Sequence, residues 1–301
     1  MKMATCPVCG ARVRRNQLAA HRASAHRRRR TPAWKVQLAA AVMIVVVVAA
    51  AYLAMQYLRD RGEEGTGVPP VTDPNAIPVQ FQTEDGWTIH GTFYKGDPSK
   101  PLLILVHGLN EDRNAYGSFV PELRAKGYNI LAFDSRGHGQ SVVYKGTTKR
   151  WTAFTDLDFK DMVNDIYSAK AWAMSSYATA PKVGIIGASI GANEALTYFC
   201  QTDAQDDIAL VLLAPGENYR GYYSAPAISA LNAQGATAHI FFGAAEDDQG
   251  GSAAAARSLN ASYNGPKQLE IMSGGRHGTQ LLTDPPYRVK IADFLADAFS
   301  G

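Results

Sequence analysis

Cysteine is scarce in this chain, with three in 301 residues, which excludes a disulfide-dense scaffold. Acidic residues are missing from residues 1–35, which carry ten Lys/Arg, whereas the remainder holds 20 Lys/Arg against 27 Asp/Glu. The net charge of +3 therefore averages a basic head and an acidic body. It argues against a large nucleic-acid-binding surface on that body. Internal repeats are absent, and long apolar runs are limited to one. Hydrophobic residues at 46% with charged residues at 19% exclude a wholly disordered chain. The length admits two units, or one large α/β domain with appendages.

The one long apolar run is residues 36–58, VQLAAAVMIVVVVAAAYLAMQYL, 23 residues without a charge. As a helix rising 1.5 Å per residue it is long enough for a hydrocarbon core of about 30 Å. A transmembrane helix is expected, acting as an uncleaved signal anchor in contact with membrane lipid. Ala49-Ala50-Ala51 offers a cleavage alternative, against which the long region ahead of it counts. Arg27 to Arg30 and Lys35 flank one end; Arg59 and Arg61, followed by Glu63 and Glu64, flank the other. The positive-inside rule then puts the N-terminus in the cytoplasm and the C-terminal domain outside it, as a single-pass membrane protein. Residues 59–78, with four Pro and three Gly, read as a linker.

Within the basic segment 1–30, Cys6-Pro-Val-Cys9 is followed after eleven residues by His21 and after four more by His26. Two thiolates and two imidazoles at such spacing can close a tetrahedral zinc site. The segment resembles a Cys2His2 zinc finger, with a middle gap one residue short of the usual twelve. The resemblance implies structural zinc on Cys6, Cys9, His21 and His26; the alternative is a chance grouping in a basic tail. One finger reads only about three base pairs. A structural or partner-binding knob is thus favoured over nucleic-acid contact through residues 1–35.

From residue 79 the pattern changes. VQFQTEDGWTIHGTFYK alternates around Glu84-Asp85-Gly86, the signature of a β-hairpin. Apolar runs at 102–108, 129–134, 182–189, 208–216, 238–244 and 267–272 then alternate with candidate helices near 114–126, 156–174, 190–202, 218–232, 252–261 and 285–299. An α/β domain over 79–301 is expected, with a mostly parallel sheet flanked by helices.

Gly187-Ala188-Ser189-Ile190-Gly191 stands between one of these strands and a helix, the context of a nucleophile elbow. His107-Gly108-Leu109-Asn110 closes an earlier strand, and Asp134-Ser135-Arg136-Gly137-His138-Gly139-Gln140-Ser141 closes the next. Here residues 79–300 resemble the α/β-hydrolase superfamily, in particular esterase-like and serine-peptidase-like members. The resemblance implies the order Ser, acid, His. His277, in Ser273-Gly274-Gly275-Arg276-His277-Gly278, is the histidine after Ser189 that lies in a loop at a strand's end. Asp247 fits the acid position, with Asp248 as its close rival and Glu217 as the site some members use. Backbone N–H groups of Leu109 and Ile190 fit the oxyanion hole.

The implied function is serine hydrolysis, carboxylic esters first, through a Ser-His-Asp triad and an acyl-enzyme, with no cofactor for catalysis. Peptides and thioesters are the rival substrates on the same machinery. Tyr144 and Trp151 are expected to wall the pocket, and Arg136 to hold its loop or meet an anionic substrate. A non-catalytic extracytoplasmic binding module coupled to the zinc knob is the alternative from another class.

Overall fold

The computed structural model describes residues 2–25, 75–177, 182–202 and 207–300. It divides into two units, Met1–Val68 and Pro69–Gly301. In the first, β1 (Met3–Thr5) pairs antiparallel with β2 (Arg12–Arg14), and α1 (Leu18–Ala25) follows. The knuckle between the strands is closed by Cys6 N–H to Ala11 O and Gly10 N–H to Cys6 O, both 2.8 Å.

The transmembrane segment expected over 36–58 lies outside the described residues. Among the described residues no helix is long and apolar enough to cross a membrane. The longest has 16 residues, short of the roughly 20 apolar residues a span needs, and it buries only one face. The expected single-pass placement, with its contact to membrane lipid and its extracytoplasmic domain, is corrected accordingly: no described helix supports it.

In the second unit, β3 (Ala76–Gln82) and β4 (Trp87–Tyr94) form the expected antiparallel hairpin. The first strand begins within the stretch read as linker. Pro78 is tolerated there because β3 pairs with β4 alone, at an edge of the sheet. The chain continues through β5 (Leu102–Val106), α2 (Val120–Ala125), β6 (Asn129–Phe133), β7 (Val143–Tyr144) and β8 (Thr147–Thr148). Next come α3 (Asp156–Lys160), α4 (Val163–Ser176), β9 (Val183–Ala188), α5 (Ile190–Gln201), β10 (Asp207–Leu213), β11 (Asn218–Tyr219) and β12 (Tyr222–Tyr223). The chain ends with α6 (Ser224–Ala233), β13 (His239–Ala245), α7 (Ser252–Ser262), β14 (Lys267–Met272) and α8 (Pro285–Ser300).

The main sheet has ten strands in the order β14-β13-β10-β9-β5-β6-β4-β7-β8, with β3 on β4. Strands β14 through β6 are mutually parallel, and β4 joins β6 antiparallel. Every residue of β5, β6 and β9 is buried, because helices cover both faces. Leu102, Ile104 and Val106 join one core with Ile185 and Leu196, while Leu103 and Leu105 join the other with Ile186 and Leu295. Each such Leu or Ile contributes about 1.5–3 kcal/mol by leaving water.

Three expected helices are interrupted. The 114–126 stretch is a 3₁₀ turn over Arg113–Tyr116 followed by α2, whose first turn holds Pro121; proline fits there and not further in. The 156–174 stretch splits into α3 and α4 around Asp161 and Met162. Residues 218–223 form the β11–β12 hairpin, because Arg220 and Gly221 take positive φ of 49° and 86°, as a tight two-residue turn requires.

From β5 the chain steps outward to β6, then returns to β9 on the other side of β5. The connections beyond β5 and β9 thus leave in opposite directions, and a crevice opens at the carboxyl ends of these strands. Tyr116 braces that opening, donating its hydroxyl to Val106 O at 2.8 Å and Ile186 O at 3.0 Å.

Candidate active site

Ser189 sits at the turn from β9 into α5 with φ 54° and ψ −119°, a conformation that L-residues rarely adopt. Its N–H is held by Leu213 O at 2.8 Å. The turn requires glycine on both sides. A Cβ at 187 would lie 2.2 Å from Gly191 O, and one at 191 would lie 2.5 Å from both Val106 O and His107 O. These close approaches press the elbow against the end of β5 and bring residues 107–110 beside the serine.

The structure brings His277 to Ser189 and does not bring Asp247 to either. Nε2 of His277 lies 2.7 Å from Ser189 Oγ, and Nδ1 lies 2.8 Å from Asp248 Oδ2. Facing an acceptor, Nδ1 carries the proton, which leaves Nε2 to accept from the serine hydroxyl. The carboxylate that faces His277 is therefore that of Asp248, where Asp247 was expected. The reason is a turn: Asp248 N–H reaches back to Ala245 O at 3.3 Å. Its two central residues, Glu246 and Asp247, point to solvent, while the fourth folds back over the strand end. Asp247 contributes a backbone N–H to Gly274 O, at 2.9 Å.

The Asp248 side chain is 5% exposed. Burial pushes its carboxyl up, but the Ser252 hydroxyl, His277 and the Gly250 N–H outweigh this and hold it below the usual carboxylate range. The Gly250 bond is 3.1 Å. Ser252 opens α7, so the carboxylate also sits where the helix dipole favours an anion. Among the described residues, no hydrogen bond or ion pair joins Glu217 to His277, whose partners are Asp248 and Ser189.

The loop after β5 is fixed by groups that sequence reasoning missed. The Gly108 N–H donates to Glu111 Oε2 at 2.7 Å, and Thr279 donates its hydroxyl to Glu111 Oε1. One carboxylate thus ties this loop to the one carrying His277. With the Gly108 N–H occupied, the N–H groups of Leu109 and Ile190 have no acceptor among the described residues. The sequence offers only a weak signal for Glu111, an acid three residues after the glycine.

His107 is structural. Ser135 N–H donates to its Nε2 at 3.0 Å, so its Nδ1–H donates to Gly108 O at 2.8 Å. Arg136 is 2% exposed and faces no substrate. Its Nε lies 2.8 Å from Asp165 Oδ1, its Nη1 lies 2.6 Å from Asp85 Oδ2, and its backbone N–H donates to Asp165 Oδ2 at 2.7 Å. Glu194, on α5, is fully buried, and neither carboxylate oxygen has a hydrogen-bond partner among the described residues. Burial first, then the nearby Asp165, push its pKa well above the usual carboxylate range.

His138 is buried, stacks on Trp151 at 5.6 Å and donates Nδ1–H to Arg136 O at 2.9 Å. Burial first, then His107, lower its pKa to about 3. The unfolded chain protonates this imidazole near 6.5, so it holds one more proton than the native state between those values. Stability from this group is present above that window and is lost as pH falls through it. Between pH 7 and 5 the loss is about 2 kcal/mol. Urea unfolding at both values should show wild type losing about that much more than His138→Gln. Equal losses would refute a buried neutral imidazole.

An open cavity of about 600 Å³ adjoins Ser189 and His277. Its walls are the loop 214–219 and the start of α7; Tyr144 and Trp151, expected there, instead pack on Trp87 and His138. A larger hollow of about 950 Å³ lies at Phe81, Glu84, Asp85, Tyr167 and Trp172, with no nucleophile–base pair in its lining.

In the first unit, one donor atom from each of Cys6, Cys9 and His21 lies within 4.8 Å of the others, with Cys9 Sγ 3.3 Å from His21 Nε2. The Val8 backbone N–H lowers the pKa of the Cys6 thiol. His26 lies outside the described residues.

Residues 97–240 match the family model for serine aminopeptidases, S33. That match includes Ser189 and stops before Asp248 and His277. Among curated proteins, the chain is 26% identical over 124 residues to the thiohydrolase aneE of Aspergillus aculeatus, 40% of this chain and 36% of that protein. It is 29% identical over 102 residues to epoxide hydrolase B of Mycobacterium tuberculosis, 34% of this chain and 25% of that protein. The chain thus spans roughly a quarter to a third of the length of these relatives. Among solved structures, the Pyrococcus furiosus esterase Pf2001 superposes with a TM-score of 0.58 at 18% identity, over 74% of this chain and 92% of that one. That likeness shows the fold. The chain thus has an α/β-hydrolase fold and is similar, over less than half of its length, to serine aminopeptidases and other hydrolases.

Proposed function

We propose that this chain is a serine hydrolase acting on carboxylic esters through Ser189, His277 and Asp248. The observation that carries the reading is the unbroken hydrogen-bond line from Asp248 Oδ2 through the imidazole to Ser189 Oγ. As Oγ attacks the acyl carbon, its proton passes to His277 Nε2. Asp248 holds the tautomer and stabilises the imidazolium. The N–H groups of Leu109 and Ile190 receive the oxyanion. His277 returns the proton to the departing alkoxide. It then takes one from water as that water attacks the acyl carbon, and gives it to Ser189 Oγ as the acyl–Oγ bond breaks and the acid leaves. None of these steps calls for a cofactor.

Thioesters are the second reading, favoured by the relative named a thiohydrolase, and peptides the third, favoured by the family's name. The full chain should be assayed on p-nitrophenyl acetate, an acetyl thioester and an aminoacyl p-nitroanilide. Ester turnover that exceeds the other two in kcat/KM supports the first reading. Faster thioester or anilide cleavage transfers the assignment, and no turnover of any class removes it.

The grouping of Cys6, Cys9 and His21 fits zinc. Zn–S of about 2.3 Å and Zn–N of about 2.0 Å at a tetrahedral angle put sulfur and nitrogen about 3.5 Å apart, close to the observed 3.3 Å. Zinc there would staple a segment too small to fold alone, with His26 as fourth ligand. Metal analysis of the full chain should find one zinc, lost on chelation together with ordered amide signals from residues 2–25. Retention of zinc by Cys6→Ser, or its absence from the native protein, would refute the site.

A further inference from the structure

We infer that Glu217 selects substrates carrying a cationic arm, an inference that rests on the hydrolase reading above and names its substrate class. Among the described residues, Glu217 is the one carboxylate lining the cavity beside Ser189, and no Lys or Arg lines it; Ala214, Pro215, Tyr219, Ala254 and Ala255 form much of the apolar wall. Its carboxylate makes no ion pair or side-chain hydrogen bond among the described residues. The nearby Arg220 guanidinium lies over the rings of Phe159 and Tyr219, at 5.1 and 5.8 Å from their centroids.

The carboxylate is presented on a fixed loop. Asn193, one turn into the helix that Ser189 opens, grips Gly216 from both sides. Its Nδ2 donates to Gly216 O at 2.8 Å and its Oδ1 accepts from Gly216 N–H at 3.0 Å. Ser224 adds a hydroxyl bond to the same carbonyl at 2.6 Å, and Asn193 also holds that hydroxyl at 2.9 Å. Ala214, entering the loop, is held at φ 54°, and the β11–β12 hairpin closes it. The same helix therefore positions both the nucleophile and the acid wall. Glu217 is exposed, so its carboxylate stands at the cavity's solvent edge on a fixed backbone, where an anionic group attracts cations and repels anions. The acidic body of the chain, 20 Lys/Arg against 27 Asp/Glu beyond residue 35, concentrates cations around it.

The test compares isosteric esters that differ in charge. On the leaving-group side the pair is acetylcholine and 3,3-dimethylbutyl acetate. On the acyl side it is p-nitrophenyl 4-(trimethylammonio)butyrate and p-nitrophenyl 5,5-dimethylhexanoate. One pair should show kcat/KM favouring the cation about three- to ten-fold, the scale of one partly screened charge pair. The ratio should fall to about one in Glu217→Gln and below one in Glu217→Lys, and shrink in high salt. Calorimetric binding of both pairs to Ser189→Ala gives the same comparison without turnover. A cation preference in binding that Glu217→Gln removes supports the inference even if nothing is hydrolysed, in which case the hydrolase reading alone fails. Turnover or binding without charge preference, or a preference that survives Glu217→Gln, overturns the inference and leaves the hydrolase reading standing.

Discussion

Asp248→Asn should lower kcat on an activated ester about 10⁴-fold, while Asp247→Asn changes it by less than about two-fold. The amide can donate toward Nδ1, which favours the tautomer with its proton on Nε2 and removes the acceptor that Ser189 needs. It also withdraws the negative charge that stabilises the imidazolium. The size of the effect follows from how dedicated Asp248 is: it is nearly buried, accepts from three groups and sits 2.8 Å from the ring. Its neighbour lies in solvent at the tip of the same turn. Steady-state kinetics on the two variants, with circular dichroism to confirm folding, separates them. Equal and small losses would remove Asp248 from the mechanism, and a larger loss at Asp247 would restore the motif-based assignment.

The second large effect is at Ser189 itself. Ser189→Ala should lower kcat about 10⁶-fold, close to the loss from removing the whole proton-transfer unit, because the three groups act together. Stability should respond differently. At φ 54° and ψ −119° the backbone carries strain on the order of 1–3 kcal/mol that alanine shares and glycine relieves. Ser189→Gly should therefore unfold at higher denaturant than Ser189→Ala. The gain should be about 1 kcal/mol after glycine's extra chain entropy is subtracted. A glycine variant less stable than alanine would mean that the turn is not strained.

The pairing of Ser189 with His277 was legible because each residue is set by local chemistry. Ser189 stands between glycines that only a close-packed turn demands, and His277 lies in a glycine-rich loop after the last strand. The acid was legible only to within one residue. Motif spacing brings the chain to the end of β13, but the hydrogen bond from Asp248 N–H to Ala245 O decides which side chain turns inward. Glu111, Ser252 and Asn193 could not be picked out. Glu111 and Asn193 act across long separations, such as Glu111 to Thr279, and Ser252 reads as an ordinary helix-start serine.

The parallel strands were readable as apolar runs because both faces are buried. The helix expected over 218–232 failed in its first six residues, where a tight turn at Arg220 and Gly221 prevailed over apolar periodicity. Tyr144 was misplaced for a similar reason: β-pairing with Trp87 draws it to the sheet edge. The membrane placement rested on residues 36–58 and their charged flanks, and no described helix is long and apolar enough to support it.

The central claim is that Ser189 is a nucleophile activated by His277. It is tested most directly by treating the full chain with a fluorophosphonate and mapping the adduct by peptide mass spectrometry. The account predicts one adduct, on Ser189, formed rapidly in wild type, slowed by orders of magnitude in His277→Ala and Asp248→Asn, and absent from Ser189→Ala. A folded wild-type protein that stays unlabelled, or that carries its adduct on another residue, would contradict it.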